Sequence, residues 1–260
     1  MRGVPRSLSL LGDREFLALA SSAFARSQAY STILIALALY ADLFGTTGLV
    51  EGLFGTAFAS VQLFIVLPLG RAIDAGDARR YLLAGLALNV AVFVGFALVE
   101  SAVHVVLVRI LQGVGASVLW LAGSAVVGEI SPGGERGRWL GTYNQVGAFS
   151  SLAGDLVGGY LLYAHGFTLT YAVLSAVTLL AFLLVLAYLR ENPGGDDTQG
   201  SGVEAVRTLL GRPTVQSLVA FRLFFGVGKM AVIVFLPIYA RKGFGVSALA
   251  IGGILAGGKL

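Results

Sequence analysis

Apolar residues come in long, nearly uncharged runs along this chain, separated by short polar connections. The runs are Phe16–Ala41, Leu53–Leu69, Tyr81–Val99, Val103–Val127, Trp139–Tyr163, Phe167–Leu189 and Val215–Ala240. Each is near the roughly 20 residues that a helix needs to cross the hydrocarbon core of a bilayer. An eighth run begins near Val246 and reaches the last residue, Leu260. The pattern predicts an all-α membrane protein, and a run cut off at Leu260 leads us to expect a C-terminally truncated chain. The first run follows a basic start, but it is too long for a signal core and contains Arg26, so cleavage is not expected.

The polar connections alternate in charge. Arg2, Arg6 and Arg14 precede the first run. Arg71, Arg79 and Arg80 lie between the second and third, Arg136 and Arg138 between the fourth and fifth, and Arg190, Arg207 and Arg212 after the sixth. The opposite connections carry Arg241 and Lys242 alone. Basic residues collect on the cytoplasmic side of a membrane, so the N-terminus is expected in the cytoplasm of a multi-pass plasma-membrane protein. Residues 190–214 fall on the same side. That segment starts polar and glycine-rich (ENPGGDDTQGSG) and reads as a linker. It divides a six-helix bundle at 1–189 from the first one or two helices of a second, incomplete bundle at 215–260.

Composition agrees with this division. The chain is 57% hydrophobic and 12% charged, whereas soluble domains carry about 25% charged residues. Its 36 glycines lie among apolar residues, a distribution that suits close helix–helix contact in lipid. No cysteine is present, which excludes disulfides, thiolate metal sites and cysteine nucleophiles. The net charge of +4 comes from short connections and a few helix positions, so no nucleic-acid partner is expected.

Three local patterns are more specific. Between the second and third runs stands Gly70-Arg-Ala-Ile-Asp74-Ala-Gly-Asp-Ala-Arg79-Arg80. A glycine there lets helix ends approach, and an aspartate accepts hydrogen bonds from a helix N-terminus or an arginine. The fourth run holds Arg109-Ile-Leu-Gln112-Gly113, in which Arg109 and Gln112 share a face. The fifth holds Gly141 and then Gly154-Asp155-Leu-Val-Gly158-Gly159, whose glycine spacing is that of a close-packing face.

These patterns, in this order and on these helices, resemble the major facilitator superfamily of membrane transporters. The first is similar to the family's loop signature, with Ala75 in place of a basic residue. The second is similar to its Arg-x-x-Gln-Gly motif, and the third to its antiporter-associated glycine pattern, with Ser150 replacing a glycine and Asp155 a proline. The resemblance implies twelve helices in all, alternating access, and secondary transport of a small molecule, proton-coupled and slanted toward efflux. It gives the loop residues Gly70, Asp74, Arg79 and Arg80 the part of a latch between access states.

Charged residues inside membrane helices mark substrate or ion paths. Here they are Arg26, Arg109, Asp155, Arg222 and Lys229. Counted along their helices, Asp155 lies about 12 Å and Arg109 about 9 Å from the outer end, so the two are expected at one depth and able to pair. Asp155 then serves either as a proton carrier whose acidity Arg109 tunes or as half of a fixed ion pair. Arg222 and Lys229, seven apart, share a face. With Arg26 and Arg109 they make the resemblance's central cavity cationic, which points to an anionic substrate.

Other chemistries fail on their residues. Gly253-Ile-Leu-Ala-Gly-Gly-Lys259-Leu260 imitates a phosphate loop but lacks the Ser or Thr that holds magnesium. His104 and His165 have no zinc-ligand context, and no serine elbow occurs. Neither an enzyme nor a metal or other cofactor is expected. Two other readings remain open: a membrane scaffold or regulatory half-transporter without transport activity, and a seven-helix retinal-type photoreceptor with Lys229 as Schiff-base residue.

Overall fold

The computed structural model describes residues 8–191, 208 and 211–259. Arg2, Arg6, Arg207, Leu260 and most of the 190–214 segment lie outside the described residues. A 3-10 turn (Leu8–Gly12) leads into α1 (Arg14–Leu43), followed by α2 (Gly48–Ala75), α3 (Ala78–Ala97) and α4 (Ala102–Ile130). A helical run Arg136–Tyr188 comes next. It is broken at Gly166 (φ 72°, ψ −165°), a conformation that a residue with a Cβ adopts only under strain. Its arms are α5 (136–165) and α6 (167–188), so the two spans expected there are separate. The chain ends with α7 (Pro213–Phe244) and α8 (Ala248–Gly257). No strand occurs among the described residues.

Short polar side chains start several helices by accepting a hydrogen bond from a first-turn N–H. Asp13 accepts from Phe16 N (2.9 Å), Asp77 from Arg79 N (2.9 Å) and Ser247 from Ala250 N (3.3 Å). By length and composition, α2, α3, α4, the Arg136–Tyr188 run and α7 are apolar enough to cross a membrane. The protein is therefore a multi-pass membrane protein. α1 is less apolar than these, and its place in the fold accounts for that. It lies at the centre of the bundle, packed against α4, α5, α7 and α8, with most of its residues buried. Its polar residues need protein partners, which the surrounding helices supply.

Two apolar cores lie toward opposite ends of the helices. One gathers Ile33, Leu37, Tyr40, Phe54, Phe96, Tyr171 and Ile251. The other gathers Phe16, Leu19, Leu82, Leu86, Leu119, Trp139 and Val185. Between them is a polar layer: Gln28, Ser31 and Thr32 on α1, Asn89 on α3, Arg109 and Gln112 on α4, and Asp155 on α5, all buried. Lipid gives apolar helix faces no hydrophobic reason to associate, so close packing and polar contacts hold such a bundle. The glycines of α5 supply the close packing. A Cβ on Gly154 would stand 2.9 Å from Gln28 Cα, and one on Gly159 would stand 2.9 Å from the Ala248 carbonyl oxygen and 3.3 Å from Gly252 Cα. Helix α5 is thereby pressed between α1 and α8. Gly158 faces Thr32 at equally short range. Gly141 differs from this part of the expected glycine face: it is exposed, with nothing within 4 Å of an added Cβ, because it points to another side of α5, away from the face by which the adjoining Thr142 and Tyr143 are buried.

Candidate functional site

The close approach of α8 to α5 brings a charge pair together. Lys259, just past the end of α8, forms an ion pair with the fully buried Asp155 of α5. Its ammonium also donates to Ser151 Oγ (2.7 Å) and Ser31 Oγ (3.0 Å), and the two hydroxyls are 2.6 Å apart. The second carboxylate oxygen of Asp155, Oδ1, is buried without a hydrogen-bond partner, and so is Gln28 Oε1 on the neighbouring turn of α1. A buried acceptor left unpaired costs about 1–3 kcal/mol, more when charged. The pair is thus held on one side and unsatisfied on the other.

The expected pairing of Arg109 with Asp155 does not occur. Arg109 is 1% exposed and points the other way, toward α2. Its Nε donates to the Phe54 carbonyl (2.6 Å) and its Nη1 to Gln112 Oε1 (2.6 Å). The guanidinium carbon lies 4.5 Å from the centre of the Phe58 ring, a cation–π contact. Gly113 completes the motif, since a Cβ there would stand 2.7 Å from the Phe58 carbonyl oxygen. Depth along a helix does not fix which way a side chain faces, and here the facing decides the partner.

A cavity of about 340 Å³ opens beside this layer. Arg26 of α1, Gln62 of α2, Gln112 and Trp120 of α4, Ser151 of α5 and Met230 of α7 are among its lining. Of the four cations expected around such a cavity, Arg26 alone lines it. Arg109 is turned into the α2–α4 contact. Arg222 lies on α7 beside an adjoining, largely apolar cleft against α2, which shares Gln62 and Met230 with the cavity. Lys229 is exposed on α7 and lines neither. Arg222 and Lys229 are therefore not gathered with Arg26.

The loop between α2 and α3 is built differently from the expected latch. Asp74 is exposed, and no hydrogen bond or ion pair of its side chain is seen among the described residues. Gly70 has open space around it. Asp77 instead caps α3 and pairs with Arg80 (3.3 Å). Arg79 donates to the Leu186 carbonyl at the end of α6 (2.9 Å) and pairs with Glu191 (3.5 Å). The residues of this loop thus bind α3 to α6, and the tight approach falls at Gly76, where a Cβ would lie 2.9 Å from the Ala72 carbonyl oxygen.

At the opposite end of the helices, α7 is clamped to α1 and α2. Arg241 Nε pairs with Asp42 (2.8 Å), and Lys242 pairs with Glu51 (2.8 Å) and reaches the Thr46 carbonyl. Lys259, Glu51, Asp42, Gln28 and Ser31 are functional candidates that the sequence pattern does not single out. Lys259 carries a signal all the same: a buried acid in a membrane helix needs a cation, and Lys259 closes an apolar helix with a Gly252-Gly253 pair. No group of three His, Cys, Asp or Glu side chains arranged for a metal occurs among the described residues.

A bundle of apolar helices with a polar cavity at mid-depth, and with ion pairs joining the helices before residue 190 to those after 213, defines a membrane transporter fold. Residues 19–259 match the profile of the Major Facilitator Superfamily, and the chain belongs to that family. It is 33% identical over 136 residues to the MFS-type transporter ppzB of Metarhizium rileyi, covering 52% of this chain and 28% of that protein. It is 27% identical over 225 residues to the multidrug resistance protein MdtG of Enterobacter lignolyticus, covering 84% and 54%. The chain thus spans about half or less of the length of these relatives. Among solved structures, a bacterial homolog of the human lysosomal transporter Spinster, inward-facing and unoccupied, superposes with a TM-score of 0.79 at 20% identity, over 98% of this chain and 60% of that one. This likeness shows the fold.

Proposed function

We propose that the protein moves a small molecule, chemically unchanged, across the plasma membrane by alternating access, with proton movement coupled at Asp155. The observation that carries this reading is the Asp155–Lys259 ion pair. It joins α5, in the six-helix set at 1–189, to α8, in the set that begins after the 190–214 linker. A charged Asp155 holds Lys259 and with it α8. A proton on the carboxyl removes the charge, loosens the pair and lets the two sets shift relative to each other, which is the rocking that alternating access needs. The unpartnered Oδ1 gives the proton an oxygen that no other donor occupies.

The Arg241–Asp42 and Lys242–Glu51 pairs lie at the ends of the helices remote from the basic connections. With the N-terminus in the cytoplasm, they close the outer side, which supports an inward-facing state. The inward-facing Spinster homolog supports the same state. Export in exchange for protons is the direction we favour. The name of the Enterobacter relative, a multidrug resistance protein, and the glycine pattern of α5 support it. Among the described residues the cavity lining includes Arg26 and no acid, which favours a substrate bearing negative charge.

The test is flux in liposomes that contain the full-length gene product under an imposed pH gradient, with a panel of organic anions and cationic drugs. The proposal expects at least one compound to accumulate and a protonophore to abolish that accumulation. Accumulation untouched by the protonophore would remove the proton from the scheme.

A further inference from the structure

Arg26 is a half-buried cation in the interior of a membrane helix, and no hydrogen bond or ion pair of its guanidinium is seen among the described residues. Such a group is costly in a bilayer unless it meets water or a counter-ion. Among the described residues, the lining of this cavity includes no Asp or Glu. The nearby acid, Asp155, is turned toward Lys259. A neutral or cationic guest would leave Arg26 without a partner, whereas a guest with one anionic group supplies it.

The rest of the lining indicates what carries that anionic group. Tyr30, Phe58 and Trp120 form three aromatic walls. Tyr30 and Phe58 have ring centres 5.5 Å apart at 43°, a tilted pair rather than a flat stack. Trp120 is 52% exposed although it lines the cavity, so a large indole surface stands ready to meet a flat guest. Gln62 and Asn89 add amides that orient polar substituents. The described residues line about 340 Å³ of space here, within the roughly 300 to 1,000 Å³ of ligand sites.

We infer that this cavity takes a small aromatic monoanion, its negative group on Arg26 and its ring against Trp120, and that Arg26, rather than Arg109, Arg222 or Lys229, reads the charge. Arginine suits the task, because its planar fork donates two parallel hydrogen bonds to a carboxylate or phosphonate. The inference rests on the transport reading for its biological sense, but the binding site is testable without transport.

The experiment follows Trp120 fluorescence in the full-length protein in nanodiscs, with Trp120→Phe subtracted to isolate that signal. Benzoate, phenylacetate and phenylphosphonate are titrated against benzamide, phenylacetamide and trimethylphenylammonium. The expected result is tighter binding of the anions, by at least tenfold, over the amides and the cation. Arg26→Gln should lower anion affinity to the level of the amides and leave amide affinity unchanged, which also shows that the variant is folded. Arg26→Lys should retain part of the preference, and Arg222→Gln and Lys229→Gln all of it. The inference is overturned if no anion in the panel is preferred, or if the preference survives Arg26→Gln. Anion binding that depends on Arg26, with no gradient-driven flux of any compound, would uphold the site and sink the transport reading instead.

Discussion

Lys259 and Asp155 are paired across 104 positions of sequence, and theirs is the contact that ties the polar layer of the first six helices to α8. The pairing depends on the glycines beneath it. Gly159 and Gly252 let α5 and α8 approach closely enough for a lysine just beyond the shorter helix to reach a carboxylate in the middle of the longer one.

Removing the cation leaves the fully buried Asp155 charge uncompensated; a fully buried pair so broken costs about 3–5 kcal/mol, and the cost here is smaller because Lys259 itself is 36% exposed. Lys259→Met should therefore lower the thermal midpoint of the protein in detergent by several degrees. Asp155→Asn combined with Lys259→Met should recover most of the loss, because neither charge is then stranded. A double variant as unstable as the lysine variant alone would mean that the two residues do not interact energetically.

The glycine face makes a second, local prediction. Gly154→Val drives a side chain into the Gln28 backbone and should cost about 1–3 kcal/mol, as overpacking does. Gly141→Val meets open space and should stay within about 0.5 kcal/mol of the parent. Thermal melts of the two variants side by side check the pair of expectations.

Much of this architecture was readable from residue order. All eight helices appear as apolar runs, most within a few positions of their observed bounds and the α2 run (Leu53–Leu69 against Gly48–Ala75) short at both ends, because lipid demands that length. Even α1, less apolar than the rest, keeps enough Ala, Leu and Ile to be seen. Side-chain direction was not readable. Arg109 and Asp155 stand at similar depth, yet Arg109 faces α2 and is used up by Phe54, Gln112 and Phe58. The loop aspartate that bonds is Asp77 rather than Asp74, since only Asp77 falls at the helix start where free N–H groups await an acceptor. Lys259 was hidden by its neighbours: a run of glycines before a lysine imitates a phosphate loop, although here the glycines serve helix contact.

Arg109 holds two helices together without touching the cavity. Arg109→Gln should lower stability by about 1–3 kcal/mol, the cost of losing a charged, buried hydrogen-bond donor. It should leave the anion-over-amide binding ratio unaltered. Melting curves and the same fluorescence titration separate these two effects, and a lost ratio at full stability would reverse the assignment.

The clamp at the far ends of α1, α2 and α7 predicts a conformational lock. The chain has no cysteine, so Asp42→Cys with Arg241→Cys introduces the only thiols within it. A short, cleavable thiol cross-linker should join them in the closed state and stop flux, and reduction should restore it. Flux that continues at the uncross-linked rate would show that these ends need not separate during transport.

The central claim, that Asp155 couples proton movement to the shift between helix sets, is tested most directly by comparing two kinds of flux in liposomes with the full-length Asp155→Asn protein. One is accumulation driven by a pH gradient; the other is exchange of labelled for unlabelled substrate with no gradient present. The account predicts that accumulation is lost while exchange persists, because a neutral side chain can no longer register the proton but the carrier can still rock. Accumulation at the parent rate in the Asn variant would contradict it and leave the Asp155–Lys259 pair a purely structural tie.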